Sequence, residues 1–212
     1  MTRNQPFESL PRTSLSFVTE RMKNPHMNKK IIHLLSGGLD SVTMMYDLLN
    51  QGHQLHALMF NYQQRHSQEL LCAKYHAQQA GVLFTVVDLP PLGGLTEQSW
   101  VVPNRNAVFL SVAVNLACKS GSDTVTIGCN KDDEEQFPDC RRGFIEAMQK
   151  TVNESGYSVE ICAPYLDKRK WEIAGLARDM GINGSNIWTC YNGGLKPCGV
   201  CPACKKLKDS GL

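Results

Sequence analysis

From position 30 onward the chain alternates between short apolar runs and longer stretches whose apolar residues recur every three or four positions. Segments 31–35, 54–60, 83–89, 124–127 and 159–163 read as strands. Segments 39–49, 67–80, 106–118, 141–151 and 171–180 carry helical spacing, and Gly81 and Gly121 stand just past two of them, where glycine closes helices. Strands and helices alternating at these lengths predict an α/β protein. Its parallel five-stranded sheet is crossed right-handedly, with helices on both faces. In such sheets ligands bind beyond the carboxyl ends of the strands.

Residues 1–27 differ: they are polar, hold Pro6, Pro11 and Pro25, and show no sustained period. They read as a flexible extension, or as leader sequence before a start at Met22 or Met27. The expected organisation is an extension (1–27), the α/β domain (28–187) and a cysteine-bearing segment (188–212). A chain of 212 residues can bury a real core. Its net charge of +2 and the absence of any basic run longer than Lys168-Arg169-Lys170 call for no stable nucleic-acid partner. No apolar stretch approaches a membrane span. Nine cysteines without a secretory signal suit a reducing, cytoplasmic setting, with the five outside the tail expected in the core.

The other four are Cys190, Cys198, Cys201 and Cys204, three of them in a C-x2-C-x2-C run. Tight turns at Gly193, Gly194 and Gly199 aim such thiolates at one point, and four complete the tetrahedral shell that zinc prefers. Pro197 and Pro202 are expected to keep helix out of the knot. Disulfides and an iron–sulfur cluster are the other readings. Disulfides belong mostly to small secreted domains, and ferredoxin runs usually continue C-x2-C-x2-C-x3-C-P. With every position filled by protein, the ion is structural and the chemistry lies elsewhere.

The first strand runs into Ser36-Gly37-Gly38-Leu39-Asp40-Ser41 at the start of a helix. Paired glycines let backbone amides converge on an anion, and the helix N-terminus favours negative charge. Ser36 and Ser41 can donate hydroxyl hydrogen bonds. Asp40 either caps the helix or helps hold magnesium. The segment lacks the G-x4-G-K-[ST] pattern of a Walker loop, and a plain strand-to-helix turn is its ordinary reading.

This S-G-G-x-D-S segment resembles the pyrophosphate loop of the PP-loop ATP pyrophosphatases. That resemblance implies a HUP-like fold, with ATP along Leu35, Ser36, Gly37, Gly38, Leu39, Asp40, Ser41, Val42, Thr43, Met44 and Met45. Further segments follow later strands: Tyr62-Gln63-Gln64-Arg65-His66 with Glu69, Pro103-Asn104-Arg105-Asn106, Asp133 with Phe137-Pro138-Asp139-Cys140-Arg141, a K-x-E at Lys170 and Glu172, and Thr189-Cys190-Tyr191-Asn192-Gly193. Together with the loop they resemble the 7-cyano-7-deazaguanine synthase family of queuosine precursor biosynthesis. That likeness implies ATP-dependent conversion of 7-carboxy-7-deazaguanine and ammonia to the nitrile through adenylated acid and amide. It also implies Mg2+, a structural Zn2+ and a homodimer. Asp40, Arg65, Arg105 and Lys170 become the expected catalytic group. Arg65, Arg105, Asn106, Asp133, Phe137, Asp139 and Arg141 become the expected substrate contacts, with Asp133 or Asp139 accepting from the guanine-like edge. The chain departs from the family in Phe137, where tyrosine is common, in a short 88–102 loop where relatives carry a longer lid, and in Lys205-Lys206, where arginine is often nearby.

Each segment also has an ordinary reading. Asn104 could be a helix cap, Asp139 and Arg141 a surface ion pair, Lys170 a surface lysine. The functional rival is a related PP-loop adenylating enzyme acting on tRNA or a protein. The tRNA enzymes usually carry a basic appended domain or a cysteine pair near the loop, and no such pair is apparent along the sequence.

Overall fold

β1 (Lys30–Leu34) runs through the middle of the molecule, and four of its five residues are buried, as a strand covered on both faces requires. The computed structural model describes residues 28–64, 67–92 and 101–211. After β1 come α1 (Leu39–Asn50), β2 (Gln54–Asn61), α2 (Gln68–Gln79), β3 (Leu83–Asp88), α3 (Arg105–Ser120), β4 (Thr124–Thr126), α4 (Arg142–Glu154), β5 (Glu160–Cys162), α5 (Lys170–Asp179) and α6 (Pro202–Asp209). The sheet order is β3-β2-β1-β4-β5 with every pair parallel. The strands and first five helices lie within three residues of where apolar periodicity puts them.

Alternation along β1 divides the core in two. Ile31 and Leu35 pack with α1, α2 and α5, while Ile32 and Leu34 pack with α3 and α4. Because β2 and β4 flank β1 on opposite sides, the chain reverses direction across the sheet there. A crevice opens at the carboxyl ends of β1 and β4. No helix among the described residues is long and apolar enough to cross a membrane.

Two expectations are corrected. Pro202 does not exclude helix; it opens α6, a position where its missing N–H loses no bond and its fixed φ suits entry. Of the five scattered cysteines, only Cys129 and Cys140 are buried; Cys72 and Cys162 are half-buried, and Cys118 is exposed, one residue past the buried Ala117 of α3.

Candidate active site and metal knot

The loop between β1 and α1 is held by its own side chains. The Ser36 and Ser41 hydroxyls lie 3.0 Å apart, the Ser36 N–H donates to Ser41 Oγ at 3.2 Å, and the Gly38 N–H donates to Ser36 Oγ at 3.3 Å. The two glycines do different things. Gly37 has φ +91°, accepts the Trp188 N–H at 3.0 Å, and leaves no room for a Cβ, which would stand 2.0 Å from the Glu69 carbonyl oxygen. Gly38 has φ −81°, and a Cβ there would meet nothing closer than 3.5 Å. Gly37→Ala is therefore expected to destabilise by about 2–4 kcal/mol, through strain and the clash with α2. Gly38→Ala should melt near wild type. Equal melting temperatures for the two variants would contradict this.

His33 of β1 supports the loop from below and is fully buried. Its Nε2 lies 2.8 Å from the Ser41 carbonyl oxygen, which can only accept, so Nε2 carries the proton and Nδ1 accepts from Thr126 Oγ1 at 2.8 Å. Burial pushes its pKa from 6.5 down to about 4. Unfolded histidine binds its proton first, so neutral His33 adds stability above pH 6.5 and loses it as pH falls toward 4, on the order of 3 kcal/mol. The stability gap between wild type and His33→Gln, from urea melts, should shrink across that window. A gap independent of pH would refute the assignment.

Asp40 does not cap α1; Gly38 occupies the cap position. Instead Asp40 Oδ2 accepts from Lys170 Nζ at 2.5 Å and from Asn130 Nδ2 at 2.9 Å, while its buried Oδ1 has no hydrogen-bond partner. Asn130 Nδ2 also reaches Asp133 Oδ2 at 2.6 Å. Asp132 orients Lys170 by accepting its backbone N–H at 2.8 Å. Lys170 is thus no surface lysine: its side chain is 17% exposed. Burial alone would depress its pKa, but the carboxylates of Asp40 and Asp133 outweigh it and hold the ammonium above its ordinary range. Burial raises the pKa of Asp133, with Lys170 opposing and Asp40 reinforcing. Two carboxylates beside an anion loop, one with an orphaned buried oxygen, make a donor set fit for a hard divalent cation.

This network, the loop and the ends of β2 and α3 enclose an open cavity of about 230 Å³. On its far wall Arg105 Nη1 donates to the Tyr62 hydroxyl at 3.0 Å, and its guanidinium lies 5.9 and 5.8 Å from the Tyr62 and Phe109 ring centres. Arg105 Nε is buried with no hydrogen-bond partner. Phe109 stacks on Phe60 at 4.1 Å. Glu69 accepts from Gln64 Nε2 at 3.2 Å, and burial lifts its carboxyl to about 7 against the pull of Arg105. A buried cation beside flat aromatic rings suits a planar, negatively charged guest.

Of the residues expected at the site, Leu35, Ser36, Gly38, Leu39, Asp40, Ser41, Arg105, Asn106, Asp133, Phe137 and Lys170 line the cavity. Gly37 shapes the loop from behind, and Val42, Thr43, Met44 and Met45 are buried along α1 without reaching the cavity. Asp139 and Arg141 do not line it either. Asp139 Oδ2 takes the Asn106 backbone N–H at 3.1 Å, capping α3 from another segment, while Asn104 sits at φ +55° and offers no side-chain cap. Arg141 Nε donates to the Glu134 carbonyl at 2.8 Å, so neither the Asn104 cap nor an Asp139–Arg141 pair is present. Arg65 and residues 93–100 of the short loop lie outside the described residues.

The cavity also gathers residues that the sequence did not mark as contacts. Tyr62, Gln64, Glu69, Thr189 and Tyr191 stood inside the motifs already noted, whereas Trp188 carried no comparable signal and Lys206 was noted only as a departure from the family. Two cysteines outside the tail also meet at the cavity wall. Cys129 and Cys140 both line the cavity, and their mutual hydrogen bond and burial raise the Cys129 thiol well above its ordinary range. That environment keeps it protonated and a poor nucleophile.

In the tail, the sulfurs of Cys190, Cys198, Cys201 and Cys204 all lie within 4.8 Å of one another. All four thiols are free, which removes the disulfide reading. Backbone N–H groups of Cys198, Cys201 and Cys204 point at the sulfurs of Cys190, Cys198 and Cys201 at 3.3, 3.3 and 3.5 Å, and the Val200 and Cys201 N–H groups lower the Cys198 thiol to about 6. One tetrahedral ion with ~2.3 Å bonds would space its sulfurs about 3.8 Å apart. The cage fits a single ion and is too small for a four-iron cube.

A parallel sheet of order β3-β2-β1-β4-β5 that changes direction at a serine–glycine loop is the fold of the PP-loop α/β class. The U34-tRNA thiolase NcsA from Methanococcus maripaludis shares this fold, with a TM-score of 0.51 at 19% identity over 92% of this chain and 68% of that one. The chain belongs to the family described as Queuosine biosynthesis protein QueC, whose model matches residues 30–101 and 96–212. A protein named 7-cyano-7-deazaguanine synthase from Marinomonas sp. (strain MWYL1) is 37% identical over 84% of this chain and 91% of its own. Its namesake from Caldicellulosiruptor saccharolyticus is 36% identical over 82% and 87%.

Proposed function

We propose that this protein uses ATP to convert 7-carboxy-7-deazaguanine and ammonia into 7-cyano-7-deazaguanine. The observation that carries the reading is the Asp40–Lys170 pair standing beside the serine–glycine loop in one cavity, in a chain whose family relatives bear that activity in their names. A carboxylate resists ammonia because its oxygen leaves poorly. Attack of that oxygen on the α-phosphorus expels pyrophosphate, and ammonia then displaces AMP to give the amide. Adenylation of the amide oxygen by a second ATP, followed by loss of AMP and a proton, gives the nitrile. The protein's part is positioning and charge neutralisation.

In this reading Ser36, Gly38 and Ser41 hold phosphate oxygens, and Arg105 and Lys170 offset charge on the α-phosphate and the carboxylate, with Arg65 assigned beside them. Asp40 and Asp133 would hold Mg2+, which supplies charge neutralisation to departing pyrophosphate. Asn106 and Phe137 line the acceptor side. Asp139 acts through Asn106, since it does not reach the cavity. Zn2+ is the ion assigned to the four-cysteine cage. A homodimer and a cytoplasmic location belong to the same reading and rest on the family resemblance. Pyrophosphate release, followed in a coupled assay, should depend on 7-carboxy-7-deazaguanine and reach two equivalents per acid consumed. Release that requires tRNA or a protein acceptor instead would overturn the substrate assignment.

A further inference from the structure

We infer that Lys206 binds the phosphate end of the nucleotide, so that the cysteine knot supplies a working residue to the active site. The inference rests on reading the cavity as an ATP site. Lys206 lies on α6, whose orientation is fixed at three places. Cys204 belongs to the knot, Leu207 packs against the α1–α5 core, and Arg178 Nη1 donates to the carbonyls of Ser210 at 2.7 Å and Gly211 at 3.3 Å. With those faces committed, the helix sends Lys206 toward the turn that follows β4. There its Nζ stands 3.3 Å from the Asp132 carbonyl oxygen and 3.7 Å from Asp133 Oδ1, and it lines the cavity alongside Asp40 and Lys170. Lys205 and Lys208 of the same helix are exposed.

The lysine–arginine cations lining the cavity, among the described residues, divide by place. Arg105 stands at the aromatic end. Lys170 is directly bonded to Asp40 and 17% exposed. Lys206 is 36% exposed and its contact with Asp133 is loose, so exchanging that partner for a phosphate oxygen is easy. Asp133 is tied through Asn130 to Asp40, which places this exchange beside the serine–glycine loop. A triphosphate entering there brings more negative charge than Lys170 alone can balance.

The test uses the metal-loaded full chain and inorganic pyrophosphate with magnesium as the probe, read by calorimetry beside steady-state KM for ATP. Lys206→Ala should bind pyrophosphate about tenfold or more weakly and raise KM for ATP in proportion, as loss of a charge-assisted contact does. Metal content and Tm should not change. Lys206→Arg should recover most of the affinity, and Lys205→Ala should match wild type. Wild-type-like pyrophosphate binding by Lys206→Ala would overturn the inference. So would early melting or metal loss in both Lys206 variants, which would make the residue a strut for the Asp132–Asp133 turn. Pyrophosphate binding needs no acceptor, so a wild type that binds it yet makes no nitrile fails the substrate reading and leaves the inference standing. A wild type that does not bind it fails the ATP-site reading itself.

Discussion

Lys170→Met is expected to lose about a thousandfold in turnover and several kcal/mol in stability. The variant leaves Asp40 with its Oδ1 unpartnered and its Oδ2 deprived of the ammonium 2.5 Å away, in a site where the Asp40 side chain is only 12% exposed. Removing one member of such a pair typically destabilises by ~3–5 kcal/mol, because the remaining charge is uncompensated. The turnover loss has a separate origin: a fixed cation beside a reacting phosphate is worth about 10²–10³. These two effects can be pulled apart. Adding Asp40→Asn to Lys170→Met removes both charges and should restore much of the stability while leaving the protein inactive. Thermal melts and pyrophosphate release on the single and double variants supply the comparison. A single variant with wild-type stability and activity within tenfold would show that the pair is incidental.

Cys201→Ser is expected to cost the metal, the tail and the activity together. Its sulfur is one of four in the cage, accepts the Cys204 N–H, and caps α6. Structural zinc sites couple binding to folding by on the order of 10 kcal/mol, more than a short helix can replace. The tail also builds cavity wall, through Trp188, Thr189, Tyr191, Ala203 and Lys206, and its Trp188 N–H holds the Gly37 carbonyl. Metal loss should therefore abolish turnover while the β1–β5 sheet keeps its far-ultraviolet circular dichroism. One equivalent of bound metal and an unchanged Tm in Cys201→Ser would refute the cage.

Much of this was legible along the chain because the periodicities are strong and local. Five apolar runs and five helical faces name the sheet, the S-G-G-x-D-S turn names the anion loop, and C-x2-C-x2-C names the knot. What escaped is what depends on approach through space. Pro202 reads as a helix breaker until it proves to be the first residue of one. Asp139 reads as a substrate contact because the family resemblance covers its whole motif; only the fold shows its carboxylate accepting the Asn106 N–H. Cys129 and Cys140 are eleven positions apart and meet across a turn, and Lys206 looks like any lysine of a basic helix until α6 is docked. Gly37 and Gly38 look equivalent in the motif, yet the approach of α2 makes one indispensable for packing and leaves the other free.

Whether the protein makes the nitrile is decided by incubating it with ATP, magnesium, ammonium and 7-carboxy-7-deazaguanine and reading the mixture by mass spectrometry. 7-Cyano-7-deazaguanine is expected with two AMP for each nitrile and a transient amide. AMP without nitrile, or no AMP at all, would contradict the proposed function.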